Sequence, residues 1–177
     1  MANPGICVIQ FAKWEDVLVW PTVDPLTGIL NSTLELKAGV NWNLLVSPEP
    51  DRAFTEQQQA ANAGPYYRVQ VTGYLPGNDS PTVQKVAPMP YHDYVILVKD
   101  RDGLIRLIGD EDSGADFTNN YKSGSAGSSR RRDITFNWET INPCPIYPGN
   151  DGLFGQGILT EDSTPIHNED DILIIEE

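Results

Sequence analysis

Three consecutive arginines, Arg130, Arg131 and Arg132, stand between a Gly/Ser run (SGSAGSS, 123–129) and a strand-like stretch (ITFNWET, 134–140). Such a run can hold phosphate, pair with carboxylates on a neighbouring subunit, or sit solvated at a loop end. An acidic trio, Asp110, Glu111 and Asp112, offers oxygen ligands for weak binding of a hard cation, although a solvated acidic loop is the better reading. Asp100, Asp102 and Gly103 resemble the start of a calcium loop. The third acid and the closing glutamate of such a loop are missing, so a hairpin turn is the better reading. Cys7 and Cys144 are far apart in sequence and are accompanied only by His92 and His167, which is too little for a zinc site. Both thiols read as reduced, small, buried hydrophobes.

No nucleophile elbow, phosphate-binding Gly-rich loop or dinucleotide fingerprint occurs. The expectation is therefore a protein without catalytic residues, cofactor or metal. Four Trp and seven Tyr allow a carbohydrate groove, but their period-two placement favours core and interface packing.

The elements that must position these residues are strands. DVLVWP (16–21), STLELKAG (32–39) and YYRVQVTGY (66–74) alternate apolar and polar residues. In the last of these, Tyr67, Val69 and Val71 oppose Arg68, Gln70 and Thr72. DYVILVK (93–99) and LIRLIG (104–109) flank the Asp100–Gly103 turn, with Gly103 suited to positive φ. In ITFNWET, Ile134, Phe136 and Trp138 form one face. The only helix candidate is FTEQQQAANAG (54–64), short and without an apolar stripe. Between Gly109 and Asp133 a polar stretch reads as a long inter-strand loop, of the kind that is either functional or disordered. The expected fold is mainly β, an antiparallel sandwich or barrel over residues 1–147 with one short helix, that long loop, and an acidic C-terminal arm over 148–177.

Charge narrows the function classes. The 177-residue chain carries a formal net charge of −13. Seven of its acids fall within 160–177, where no Lys or Arg occurs. An acidic chain does not bind nucleic acid through phosphate contacts, so the arginine run reads as a solvated loop end or an inter-subunit anchor. No apolar run approaches the ~20 residues of a membrane span, and MANPGICVIQF lacks a secretory pattern, so synthesis in the cytoplasm with no membrane partner is expected.

The middle of the chain resembles a family of small virion proteins from tailed phages and prophages of Bacteroides-type bacteria. The resemblance spans roughly residues 50 to 148. It rests on the order FTEQQQAANAGPYYRVQVTGYLPGND, YVILVKDRDGLIRLIG, a Gly/Ser loop ending in Arg131–Asp133, and ITFNWETINPCPIY. The Arg-Arg-Arg-Asp form and the acidic arm depart from the family pattern. The resemblance implies a tail tube subunit that forms stacked, commonly hexameric rings. Its partners would be copies of itself and other tail proteins, with genomic DNA passing as unbound cargo through an acidic-lined conduit, and its location the virion tail. Arg130, Arg131, Arg132, Phe117 and Tyr121 in the loop region, with Ile172 and Ile174 of DILIIEE (171–177), are the subunit-contact candidates. DILIIEE reads either as a strand swapped onto a neighbour or as the last strand of its own sheet. The alternatives are another phage ring, decoration or tail-terminator protein, or a carbohydrate-binding β-sandwich.

Overall fold

The computed structural model describes residues 5–45, 47, 51–62, 64–76, 80–122 and 130–149. The expected C-terminal arm lies outside the described residues from 150 onward, as do residues 123–129.

Ten strands and one short helix follow one another among the described residues. The strands are β1 (Ile6–Lys13), β2 (Val17–Val19), β3 (Glu35–Leu36), β4 (Asn43–Leu44), β5 (Ala53–Ala61), β6 (Gly64–Pro76), β7 (Asp93–Asp100), β8 (Ile105–Ile108), β9 (Ala115–Lys122) and β10 (Arg131–Thr140); helix α1 (Ser80–Val86) joins β6 to β7. The protein is mainly β and antiparallel, with a sandwich-like core, as its sequence leads one to expect. One eight-stranded sheet runs β4-β1-β7-β9-β10-β6-β5, with β8 also on β7. β2 and β3 form a separate two-stranded piece.

The large sheet folds over on itself. β7 meets β9 through only two residue pairs, Asp93↔Asp116 and Tyr94↔Ala115, while the rest of that β7 edge pairs with β8. The chain can bend sharply at so narrow a connection. The wing of β1, β7 and β8 then faces the wing of β9, β10 and β6, and one core joins them. At its centre the Phe136 ring lies 5.5 Å from Phe11, 5.6 Å from Tyr94 and 5.3 Å from Phe117. Tilted and edge-on ring pairs of this kind add to what area burial alone contributes. A bulge in β1 between Ile6 and Val8 brings Ile6 to the same face as Ile9, so both reach this core.

A second core lies on the other side of β1, β7 and β8, where Leu30, Leu34, Val95, Leu97, Leu107 and Tyr147 are buried. β7 is therefore covered on both faces, Tyr94, Ile96 and Val98 on one and Val95 and Leu97 on the other. This explains why its sequence, YVILV, is a continuous apolar run rather than an alternation.

The β7–β8 hairpin forms as its residues imply. Gly103 has φ 87° and its N–H donates to the Asp100 carbonyl at 3.0 Å. The Asp100 carboxylate is held by Arg106 at 2.7 Å, which makes it a hairpin strut rather than a calcium ligand.

Two elements differ from the sequence reading. Residues 54–64, read as a short surface helix or an ordered loop, lie largely in β5, which pairs in unbroken register with β6 from Ala53↔Thr72 to Ala61↔Gly64. A helix here would have had no apolar stripe to bury, whereas the strand gains a full hydrogen-bonded ladder; tertiary pairing outweighs the helix propensity of Gln and Ala. The helix instead occupies 80–86. The stretch 109–133 is not one long loop, because β9 lies inside it and pairs with β10 over seven residues. In β9, Ala115 and Phe117 are buried while Asp116, Thr118, Asn120 and Lys122 are exposed, a true period-two strand with few apolar residues to advertise it.

Candidate functional site

The arginine run does not act as one basic patch. β10 starts at Arg131, and a strand sends successive side chains to opposite faces. Arg131 lies on the outer face. Its Nε sits 3.0 Å from Asp133 Oδ1, its guanidinium 3.7 Å from Asp51 Oδ2, and its Cζ 5.2 Å from the Tyr74 ring centre. Arg132 turns to the opposite face, where it donates to Asn119 Oδ1 and lies over the Tyr121 ring at 5.7 Å. Arg130, just before the strand, is exposed. The side chains of Arg131 and Arg132 are thus engaged within their own chain, leaving Arg130 as the accessible cation of the three. Phe117 is corrected as a contact candidate, because it is buried at 5% exposure in the central core. Tyr121 is half-buried and serves as the platform for Arg132. Ile172 and Ile174 lie outside the described residues.

The acidic trio forms a tight, well-anchored loop. Asp110 Oδ1 accepts from the backbone N–H groups of Asp112 at 3.0 Å and Ser113 at 2.8 Å. Two indoles pin the loop: Trp14 Nε1 donates to the Asp110 carbonyl at 2.7 Å, and Trp138 Nε1 to Ser113 Oγ at 2.9 Å. Gly114 is needed for this approach, since a Cβ there would stand 2.8 Å from the Cβ of Asp93 and 3.0 Å from that of Trp14. The carboxylate that organises the turn is occupied by backbone donors. Among the described residues no cluster of His, Cys, Asp and Glu is arranged to hold a metal ion.

His92 Nδ1 lies 3.3 Å from Glu15 on the surface. Both cysteines are free thiols, but only Cys144 is buried; Cys7 is exposed, contrary to expectation. Burial, reinforced by the nearby Glu56 carboxylate, pushes the Cys144 thiol well above the usual range, so it is an unreactive packing group.

Two features remain that can engage another molecule. The first is the outer edge of β5. This nine-residue strand pairs with β6 on one side and with no described strand on the other. It contains no Pro, Lys or register shift, the usual devices that blunt a sheet edge. Two other edges are better protected, although β9 likewise leaves Phe117–Lys122 without a described strand on the side away from β10. Along β8, Leu107 N–H donates to the Pro145 carbonyl at 3.2 Å and Tyr147 N–H to the Ile105 carbonyl at 2.9 Å. β4 has only two residues.

The second is a cleft of about 570 Å³ between residues 20–30, the acidic loop and residues 138–145. Trp20, Leu30, Leu107 and Trp138 contribute apolar lining, and Asp24, Asp110, Glu111 and Asp112 contribute carboxylates. The cleft draws on segments far apart in the chain, so periodicity gives no hint of it.

No protein family, curated protein or solved structure matches this chain. No helix among the described residues is long and apolar enough to cross a membrane.

Proposed function

We propose that this chain is a structural subunit of a tailed-phage virion, the tail tube subunit, which works by non-covalent self-assembly into rings. The observation that carries the proposal is the outer edge of β5, which is unblunted and has no strand partner among the described residues. Such an edge presents a row of unpaired N–H and C=O groups, and a strand from a neighbouring copy satisfies them by continuing the sheet. Each such hydrogen bond is worth a net ~0.5–1.5 kcal/mol, so the roughly eight available along one edge of a strand of this length supply roughly 4–12 kcal/mol. Association costs roughly 4–15 kcal/mol in lost freedom, so edge pairing needs further contacts from each subunit. Arg130 and the residues beyond 149 are the candidates for those contacts.

The outer face of β5, β6, β10 and β9 suits the wall of a DNA conduit. Gln70 donates to Asn137 at 3.0 Å, and Thr72, Thr135 and Thr118 lie in one cross-strand row. The cations on this face sit against carboxylates: Arg68 with Glu139 at 2.8 Å, Lys122 with Asp133 at 2.5 Å, and Arg131 with Asp133 at 3.0 Å. Paired cations do not hold a polyanion by counterion release, so DNA slides past. The wall proposed here is polar and charge-balanced rather than acidic; the acidic excess of the chain is concentrated in 160–177.

Electron microscopy of the purified full-length chain tests the proposal. Rings or tubes are the expected outcome, and a monodisperse monomer at high concentration would overturn it. A second reading, a non-enzymatic binding module on a β-sandwich, is favoured by the cleft at Trp20 and Trp138; a ligand screen on a persistently monomeric chain would support it.

A further inference from the structure

The cleft between residues 20–30 and the acidic loop has a chemistry of its own. Its volume of about 570 Å³ is in the range of a pocket that encloses a side chain or small ligand. Its lining contains four carboxylates, from Asp24, Asp110, Glu111 and Asp112, and no Lys, Arg or His. The partly exposed Trp20 ring adds an aromatic wall. We propose that this cleft binds a guanidinium or ammonium side chain presented on an extended peptide segment of a partner protein, with Trp20 as the aromatic platform and Glu111 and Asp112 as the counter-charge.

Charge complementarity selects this occupant. A cleft whose charged lining side chains are all negative repels phosphates and carboxylates and raises the local concentration of cations. A cation over an indole face gains further electrostatic attraction, the more so where water is partly excluded. Asp110 has one carboxylate oxygen committed to backbone donors, and Asp24 Oδ1 accepts from the Leu26 N–H at 2.9 Å. Glu111 and Asp112 are exposed, which leaves them accessible to an incoming cation.

The surroundings of the mouth point to a peptide rather than a free ion. Leu26 is 94% exposed beside Pro25, which lines the cleft, and Ile141 is 77% exposed between the lining residues Thr140 and Asn142. Apolar side chains flanking an acidic cleft match a segment in which cationic and apolar residues alternate. The rim is also pre-organised, since two indole N–H groups and the Asp110 turn fix the loop, and residues 28–30 are tied to Ile146 by backbone hydrogen bonds of 2.9 Å. A rigid site loses less entropy on binding. This inference does not depend on ring assembly.

The test is a calorimetric and tryptophan-fluorescence titration of the full chain with acetyl-Leu-Arg-Leu-Arg-Leu-amide. The comparison ligands are the same peptide with both arginines replaced by glutamine, and a neutral hexasaccharide. Saturable binding of the arginine peptide is expected, weakened about tenfold or more for the glutamine peptide and for the E111Q/D112N double variant. Asp116→Asn, on the outer sheet face, should leave the affinity unchanged and so controls for the overall negative charge. Should the double variant melt early, the glutamine peptide on the unaltered chain gives the same comparison without touching the fold. Absence of saturable binding would overturn the inference, as would equal affinity for both peptides, or binding of the saccharide in their place.

Discussion

β7 and β5 are strands of similar length in one sheet, and they are put to opposite uses. β7 is paired along both edges and covered on both faces, with five consecutive residues, Tyr94 to Val98, buried. Among the described residues β5 is paired along one edge, and most of its residues are exposed. Stability is concentrated where burial is complete, because each fully buried aliphatic or aromatic side chain contributes about 1.5–3 kcal/mol. Little of the fold depends on the outer edge of β5, and that leaves it free to recognise another molecule. The difference teaches that folding and assembly are divided between two strands of the same sheet, and each can be altered without the other.

The largest effects should come from the β7 side. Ile96→Ala and Leu97→Ala empty opposite faces of the strand, and each should cost about 2–5 kcal/mol in urea unfolding, because both cores meet at β7. Similar losses from both would show that the two cores are equally important, whereas a negligible loss from Leu97→Ala would confine the stabilising core to the Ile96 side. Gly114→Ala should cost about 1–3 kcal/mol, because the added methyl meets the backbone-proximal atoms of Asp93 and Trp14 and cannot be relieved by a flexible tip. Thermal melting checks this, and an unchanged melt would show that the acidic loop is not fixed as described.

Alkaline pH probes the same centre more gently. Burial, with a smaller contribution from Glu15, raises the Tyr94 hydroxyl from about 10 to about 12. The unfolded chain therefore loses this proton first, and the stabilisation, complete below about pH 10, should fade as the pH climbs toward 12. Tyr94→Phe should flatten that part of the profile when stability is followed from about pH 9 to about pH 11.5. An equally steep decline in the variant would assign the alkaline loss to other groups, such as Tyr147, which burial also raises. The smallest effect on folding belongs to the outer face: Arg131→Ala should change stability by no more than about 1 kcal/mol, since its ion pairs are partly exposed.

The same contrast explains what the sequence disclosed. β7, β8 and β10 were legible because their apolar residues and the Gly103 turn announce them locally. β5 was misread because AFTEQQQAA carries no buried pattern of its own, and its strand state is imposed by β6. β9 was missed because only Ala115 and Phe117 of its inward residues are apolar and deeply buried. α1 was missed because its seven residues bury only Val86 and so show no apolar stripe. The arginine run was conspicuous as a charge cluster, yet its meaning depended on the first residue of β10, which decides which arginine faces which way. The cleft was illegible in principle, since Trp20, Leu107, Asp110 and Trp138 come together only in the folded chain.

The most direct test of the division between the two strands is to block the β5 edge without touching β7. Thr55→Lys, Gln57→Lys and Gln59→Lys, combined, place three charges along the outward side of that strand, while each surface change should alter folding stability by no more than about 0.5 kcal/mol. Light scattering coupled to size-exclusion chromatography then compares the variant with the unaltered chain. The expected result is a ring-sized oligomer for the unaltered chain and a monomer of near-equal melting temperature for the variant. Identical oligomeric states for the two proteins would contradict the assignment of assembly to β5.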